Sequence, residues 1–387
     1  MTADRRRLAH RRRAMGLTQE QLADRVGTER TTIGRWERAE TAPYPYQLPR
    51  LAQVLGMTLD ELDDLLGEGE PVEEESNGRL DHALRNPAAV DHFTVAHLQQ
   101  RVQQLNAAYD ATPSALLLAD AGQCHGQVTY LRDNTSGGPI RRSLGSVEAR
   151  SALFMGQLVW DASQRRDHLS PRRYFQQAAE TAREIHDVVT EAQAQLRMSY
   201  VDLYGVGDPA SGLVQASRAA RLGRHASEVL TGLALLHVAE AHAMMKAFAP
   251  CEKALAAAEQ AFAKVGRDDT AIEHYSPTQY GRMAGSCYLF LGDPRRAQAV
   301  LEETEATLHP WRKSRSIVLG NLALAHLRQS DLDGATERLH QALDLLEQNR
   351  GGGGLNVAFQ AGRELAPWRD EPAVQDVHDR MFALMTN

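Results

Sequence analysis

Lysine is nearly absent. Of 43 basic residues only Lys246, Lys253, Lys264 and Lys313 are lysines, the arginine-rich bias that high-GC codon usage produces. Cysteine is scarce too. Cys124, Cys251 and Cys287 are far apart and odd in number, which excludes a disulfide framework and a paired-cysteine zinc site and points to a reducing, cytoplasmic setting. No run of about 18 apolar residues occurs, so no membrane span is expected. The start, MTADRRRLAHRRR, has no apolar stretch behind its charges and does not read as a secretory signal.

Chemistry-bearing patterns are equally thin. In HVAEAH the two histidines, His237 and His242, are five apart and fall on different helical faces, unlike a metalloprotease pair. Cys124-His125 stands alone in the sequence. GGPIRR and GGGG lack the lysine-threonine end of a phosphate loop and follow no predicted strand. No organised catalytic set, metal site or cofactor motif is expected.

Length and composition suit two or three soluble globular domains: 387 residues, 43% apolar and 24% charged. The net charge of −7 hides an asymmetry. Residues 1–38 hold ten arginines and five acids, whereas residues 67–76, GEGEPVEEES, hold five acids and no base. A basic head followed by an acidic run suggests a nucleic-acid-binding module and a solvated linker.

The head reads as five short helices. The first runs from about Asp4 to Met15 and stops at Gly16. Thr18 and Gln21 make a capping box for the second, which carries Leu22, Ala23 and Val26 and breaks at Gly27. Thr28 can cap a third helix over residues 29–38, with Ile33 and Trp36 facing inward. Pro49 opens a fourth, ended by Gly56. Thr58 and Glu61 cap a fifth.

The segment LTQEQLADRVGTERTTIGRWERAETAP resembles the phage-repressor type of helix-turn-helix, the XRE family, through Gln19, Ala23, Gly27, Ile33 and Trp36-Glu37-Arg38. LAQVLGMTLDELDDLL fits the same family. The resemblance implies that the third helix enters the major groove of double-stranded DNA. Arg30, Thr31 and Arg35 are then the base readers; Glu29 either accepts from cytosine or merely favours the helix N-terminus. Gln19, Arg38, Arg11 and Thr28 are expected at phosphates. Arg12 is implied to pair with Glu37, a structural role. The family's habit implies a homodimer on an inverted repeat.

Beyond residue 80 the pattern is helical throughout. Val95, Leu98, Val102 and Leu105 make a stripe that is either a packed helix face or a dimer seam. A helix is expected over about 114–131 and a loop over 132–146. Helix pairs then recur. Pro171, Gly212, Cys251, Ala297 and Ala335 are equivalent small or turn-compatible positions, spaced 41, 39, 46 and 38, each followed seven residues later by Ala178, Ala219, Ala258, Thr304 or Ala342. A period near 40 built of helix pairs indicates a helical solenoid. LGDPRRAQAVLEETEATL and LALAHLRQSDLDGATERLHQALDLL resemble tetratricopeptide repeats, degenerate and longer than usual. Gly351 to Gly354 interrupt the array, and two helices, about 355–366 and 371–385, are expected to cap it. The fold expected is all-α: a helix-turn-helix domain over 1–67, an acidic linker over 68–80 and an α-solenoid over 81–387.

Such arrays expose a concave groove lined by the first helix of each pair. Repeat register puts Gln157, Trp160, Arg197, Tyr204, His237, Glu240, Gln279, Arg282, Ser286, Asn321 and Arg328 there. The combination resembles the peptide-responsive quorum-sensing regulators of bacteria. It implies a transcription regulator in which a peptide or small-molecule effector in the groove controls operator binding. The alternative is a DNA-tethered scaffold whose repeats recruit a protein partner constitutively. An enzyme fused to a DNA-binding head would need a site the sequence does not display.

Overall fold

The computed structural model describes residues 6–37, 41, 43, 47–66, 71–308, 313–348 and 352–386. Among these no strand occurs, and no helix is long and apolar enough to cross a membrane. The chain forms two compact units, Met1–Arg85 and Asn86–Asn387.

The first unit holds α1 (Arg6–Ala14), α2 (Gln19–Val26), α3 (Arg30–Glu37), α4 (Leu48–Leu55), α5 (Leu59–Leu66) and α6 (Pro71–Arg85). Both arms of the α2 capping box form: Gln21 N–H donates to Thr18 Oγ1 at 3.1 Å, and Thr18 N–H to Gln21 Oε1 at 2.9 Å. Gly27 then turns the chain at φ +79°, a conformation in which a Cβ is costly. The core is Leu8, Leu22, Ile33, Trp36, Leu51, Leu55 and Leu62, each at most 1% exposed. Two boundaries differ from the sequence reading. The carbonyl of Glu29, not Thr28, accepts the first bonds of α3, from Thr32 and Ile33. Residues 71–85 are helical, where a linker was expected over 68–80 and the solenoid from 81, and they group with the first unit. Pro71 at the helix start supplies a preset φ.

The second unit opens with α7 (His92–Ala108) and α8 (Ser114–Asn134). Val95, Leu98 and Val102 are buried, and α7 packs on α8 and on α9 (Gly138–Ala162). The stripe is therefore a packed face within the unit. The loop expected over 132–146 shrinks to a turn, because Pro139 sits in the first turn of α9, where its missing N–H costs nothing.

Then come the pairs: α9 with α10 (Leu169–Glu184), α11 (Val188–Tyr200) with α12 (Pro209–Gly223), and α13 (Glu228–Met244) with α14 (Phe248–Phe262). They continue with α15 (Gln279–Leu291) and α16 (Pro294–Thr307), and with α17 (Lys313–Leu327) and α18 (Leu332–Gln348); α19 (Gly352–Glu364) and α20 (Pro372–Thr386) close the unit. Four of the turns share one device. Gly207, Lys246, Gly292 and Ser330 all take positive φ, each five residues before Gly212, Cys251, Ala297 or Ala335. Asp208, Asp293 and Asp331 then accept from backbone N–H groups of the following helix at 3.0–3.1 Å. The small positions are buried because the paired helix passes against them: a Cβ on Gly212 would lie 2.5 Å from Leu203, and one on Gly156 would lie 2.5 Å from Phe175.

The leading helices form the inner layer. α9, α11, α13, α15, α17 and α19 each touch the next, and α19 returns to touch α9. The ring is closed by the glycine run: Gly353 lies so near Arg165, in the turn that follows α9, that a Cβ there would be 2.7 Å from its Nη2. Gly352 to Gly354 thus belong to a helix, where the sequence suggested an interruption.

Candidate functional site

Two surfaces concentrate the functional side chains. On the first unit, Glu29, Arg30, Thr31 and Arg35 are all exposed, while Ile33, Gly34, Trp36 and Glu37 are buried. Thr31 and Arg35, four residues apart, share one stripe of α3, with Arg30 at its N-terminal end. Neither Arg30 nor Arg35 has an ion pair among the described residues. The Glu29 carboxylate accepts from the Thr31 hydroxyl at 3.2 Å, so it is already engaged at the helix start.

Behind this face lies a buried polar lock. Arg12 Nε donates to Glu37 Oε1 at 2.6 Å, Arg12 Nη2 to Oε2 at 3.3 Å and Arg12 Nη1 to the Leu17 carbonyl at 2.7 Å. Gln19 Nε2 donates to Glu37 Oε2 at 2.6 Å. The lock ties α1, α2 and α3 together and fixes the angle at which α3 is presented. Gln19, expected at phosphate, is thus held by Glu37 in this structure. Arg11, also expected there, donates through Nε and Nη2 to the carbonyls of Leu55 and Gly56 at 3.0 and 2.8 Å, satisfying the end of α4. Its guanidinium, like the Gln19 amide, is thus engaged within the unit in this structure. Thr28 is half-buried beside the turn. Arg38 lies outside the described residues.

On the second unit the ring of inner helices encloses a cavity of about 1330 Å³. Ten of the eleven residues placed in the groove by repeat register line it: Gln157, Trp160, Arg197, Tyr204, His237, Glu240, Gln279, Arg282, Ser286 and Asn321. Arg328 does not. It turns away, donating to the Leu289 carbonyl at 2.9 Å and pairing with Glu364 at 2.8 Å, and so staples α17 to its neighbours.

The centre of the wall is a hydrogen-bonded cluster. Glu240, 2% exposed, accepts from the hydroxyl of Tyr204 and from Ser286 Oγ at 2.7 Å, with His237 Nδ1 at 3.5 Å. Tyr204 also meets His237 Nδ1 at 2.8 Å. Burial alone would raise the Glu240 carboxyl, but the hydrogen bonds from His237, Tyr204 and Ser286 outweigh it and hold it below its ordinary value. Burial drives the His237 imidazole down, against the pull of Glu240, and it drives the Tyr204 phenol well up, reinforced by Glu240. The cluster is therefore a carboxylate with neutral histidine and tyrosine donors, a fixed polar wall.

Sequence reasoning missed several cavity residues. Tyr200 lies three residues after Arg197 and four before Tyr204, and its ring stacks 4.3 Å from His237. That spacing was legible. Residues Val201–Val206 form a π-helical extension of α11 that carries Tyr204, and nothing in the sequence marks it. Arg165 comes from the α9–α10 turn at φ +62° and lies 4.4 Å over the Trp160 ring. The α19 residues Asn356 and Gln360 also line the cavity, because the ring closes.

Residues that could suggest catalysis have ordinary partners. His125 shares a 2.8 Å hydrogen bond with Ser151, and burial raises the Cys124 thiol, away from the reactive thiolate. No group of three or more metal-ligating side chains occurs among the described residues.

The helix-turn-helix family model matches residues 8–62, the stretch that carries the lock and the exposed α3. The amino-terminal unit is a helix-turn-helix domain of the XRE type. No curated protein sequence matches the chain. Among solved structures, a Rap protein complexed with Competence and Sporulation Factor is similar over 98% of this chain and 96% of its own, at 12% identity and a TM-score of 0.52. PlcR of Bacillus thuringiensis, in complex with the peptide PapR7 and DNA, covers 66% of this chain and 92% of its own at 16% identity and a TM-score of 0.30. The apo quorum sensor NprR of B. thuringiensis covers 81% and 94% at 12% identity and a TM-score of 0.44. The Rap likeness agrees with the helical-repeat architecture described above.

Proposed function

We propose that this chain is a sequence-specific DNA-binding regulator whose helical-repeat unit senses a peptide or small-molecule effector. One observation carries the reading: a helix-turn-helix domain with Arg30, Thr31 and Arg35 exposed and uncommitted to other charges shares a chain with a large cavity walled by aligned polar and aromatic side chains. The arginines suit guanine O6 and N7, and Thr31 a base edge or a thymine methyl. Gln19 reaches phosphate on DNA only if it leaves Glu37, so its contribution there is exchanged against an internal hydrogen bond. Arg38 is proposed as a further phosphate contact. The working unit is a cytoplasmic homodimer on an inverted repeat.

Control is thermodynamic. An effector alters operator affinity only by as much as its affinity differs between the DNA-competent state and the other. Enzymatic turnover is not part of this reading. The test is operator selection from random DNA with the full-length chain, followed by titrations with and without culture extract. The expected result is a preferred duplex whose affinity changes with extract. A preference that no extract alters, together with a stoichiometric co-purifying protein, would replace sensing by constitutive recruitment.

A further inference from the structure

The cavity's charge opposes that of the chain. Its wall carries six arginines (Arg150, Arg165, Arg166, Arg197, Arg282 and Arg363) and three acids (Asp161, Glu240 and Glu273), an excess of three positive charges in a protein whose net charge is −7. Two of the three acids, Asp161 and Glu240, are engaged. Asp161 accepts from the Tyr109 hydroxyl and lies 3.9 Å from Arg165; Glu240 is closed by Tyr204, Ser286 and His237; Glu273 sits 3.7 Å from His274. Arg197 and Arg282 have no carboxylate partner among the described residues.

These cations gather about one set of rings. The Arg197 guanidinium lies 5.2 Å from the Tyr200 ring, and that of Arg165 lies 5.8 Å from the Tyr204 ring. Arg282 acts electrostatically on Tyr200, Tyr204 and His237. A second, independent feature points the same way. Trp160 is 4% exposed and lines the cavity, yet among the described residues its indole N–H has no hydrogen-bond acceptor; the buried Nε of Arg165 beside it, 3.9 Å from Asp161, has none within hydrogen-bond reach either. Buried donors are nearly always satisfied in a native protein. Unmatched cations and unmatched donors share one complement, a ligand made of acceptors and negative charge.

The remainder of the wall interleaves apolar side chains, among them Phe154, Leu196, Met283 and Phe290, with uncharged polar ones such as Gln157, Gln279 and Asn321. At about 1330 Å³ the cavity exceeds the ~300–1,000 Å³ of an ordinary small-molecule site. We infer that the effector is an extended, partly apolar molecule bearing an oxyanion, held by Arg165, Arg197, Arg282 and the indole N–H of Trp160. The planar guanidinium fork matches carboxylate and phosphate alike. This inference rests on the reading of the cavity as the sensing site.

The test uses the full-length chain and affinity selection with mass spectrometry. Two pools of randomised apolar N-acetyl heptapeptides differ only in a C-terminal carboxylate or carboxamide; decanoate, decyl phosphate and decanol form a non-peptide set. At least one oxyanion class should be retained about tenfold or more over its neutral counterpart, the gain of one charge-assisted contact. Preference within the peptide pools identifies a peptide carboxylate; preference for decanoate or decyl phosphate identifies the non-peptide source and its head group. Arg197→Gln with Arg282→Gln should abolish the preference, and Arg197→Lys with Arg282→Lys should restore part of it, which separates charge from folding. Equal retention of charged and neutral probes overturns the oxyanion assignment and leaves sensing intact. Retention of none overturns both.

Discussion

Arg12→Met tests whether the buried lock holds α3 in its presented orientation. Arg12 and Glu37 are each 6% exposed, and Arg12 supplies two of the three hydrogen bonds described on the Glu37 carboxylate and the one to the Leu17 carbonyl. Methionine fills much of the volume but leaves the carboxylate with Gln19 alone. Removing one partner of a buried pair costs about 3–5 kcal/mol, because the other charge stays behind without compensation. That is a large share of the ~5–15 kcal/mol that stabilises a domain. Hydrogen exchange in the full-length chain reads it directly: amides of α2 and α3 should lose protection by roughly 10² to 10³·⁵, up to the unit's whole stability, while those of α9 to α18 stay unchanged. The Arg12→Met, Glu37→Met double variant should recover most of the loss, since matched apolar replacement of a buried pair is often neutral. Loss below about 1 kcal/mol for the single variant, or no recovery in the double, would refute the argument.

Arg35→Ala should weaken operator binding by about 1–3 kcal/mol and relax one base position per half-site, read by anisotropy on specific and random duplexes; equal losses on both would remove it from the base-reading set. Gln19→Ala should weaken both duplexes alike, and a loss confined to the operator would contradict a phosphate role. Gly156→Ala should cost about 1–3 kcal/mol in thermal unfolding of the second unit, because the new methyl meets the fully buried Phe175 ring at 2.5 Å; a neutral result would mean that α9 and α10 can part freely. His125, His237, His242 and His274 all have imidazoles lowered by burial, so the unfolded chain binds more protons below the ordinary histidine range of about 6.5. The second unit should hold its full stability above that pH and lose it as pH falls through and below it; a flat profile from pH 7 to 5 would count against buried neutral histidines.

Much of this architecture was legible because it is local or periodic. Thr18 with Gln21, Gly27 and the small positions from Pro171 to Ala335 encode turns and helix crossings within a few residues of themselves. The groove register was legible for the same reason: once the second helices are aligned, the first helices follow, and ten of eleven positions fall on the cavity. Arg328 failed because the register fixes a face, not the direction a long side chain takes when a carbonyl and Glu364 are within reach. The bonds of Arg11 were equally hidden, since the end of α4 that it satisfies lies 44 residues away in sequence. The helix over 71–85 was hidden by its acidic composition. The meeting of α19 with α9 joins residues nearly two hundred positions apart, and no local pattern announces it.

That meeting makes the array a loop without free inner ends. An open spiral can lengthen or flex by small shifts shared among its repeats, and a guest slides in from the side. Here the first and last inner helices brace one another at Gly353, so the curvature of the wall cannot change without disturbing that contact. Deleting one helix pair would therefore destroy the chamber rather than shorten it.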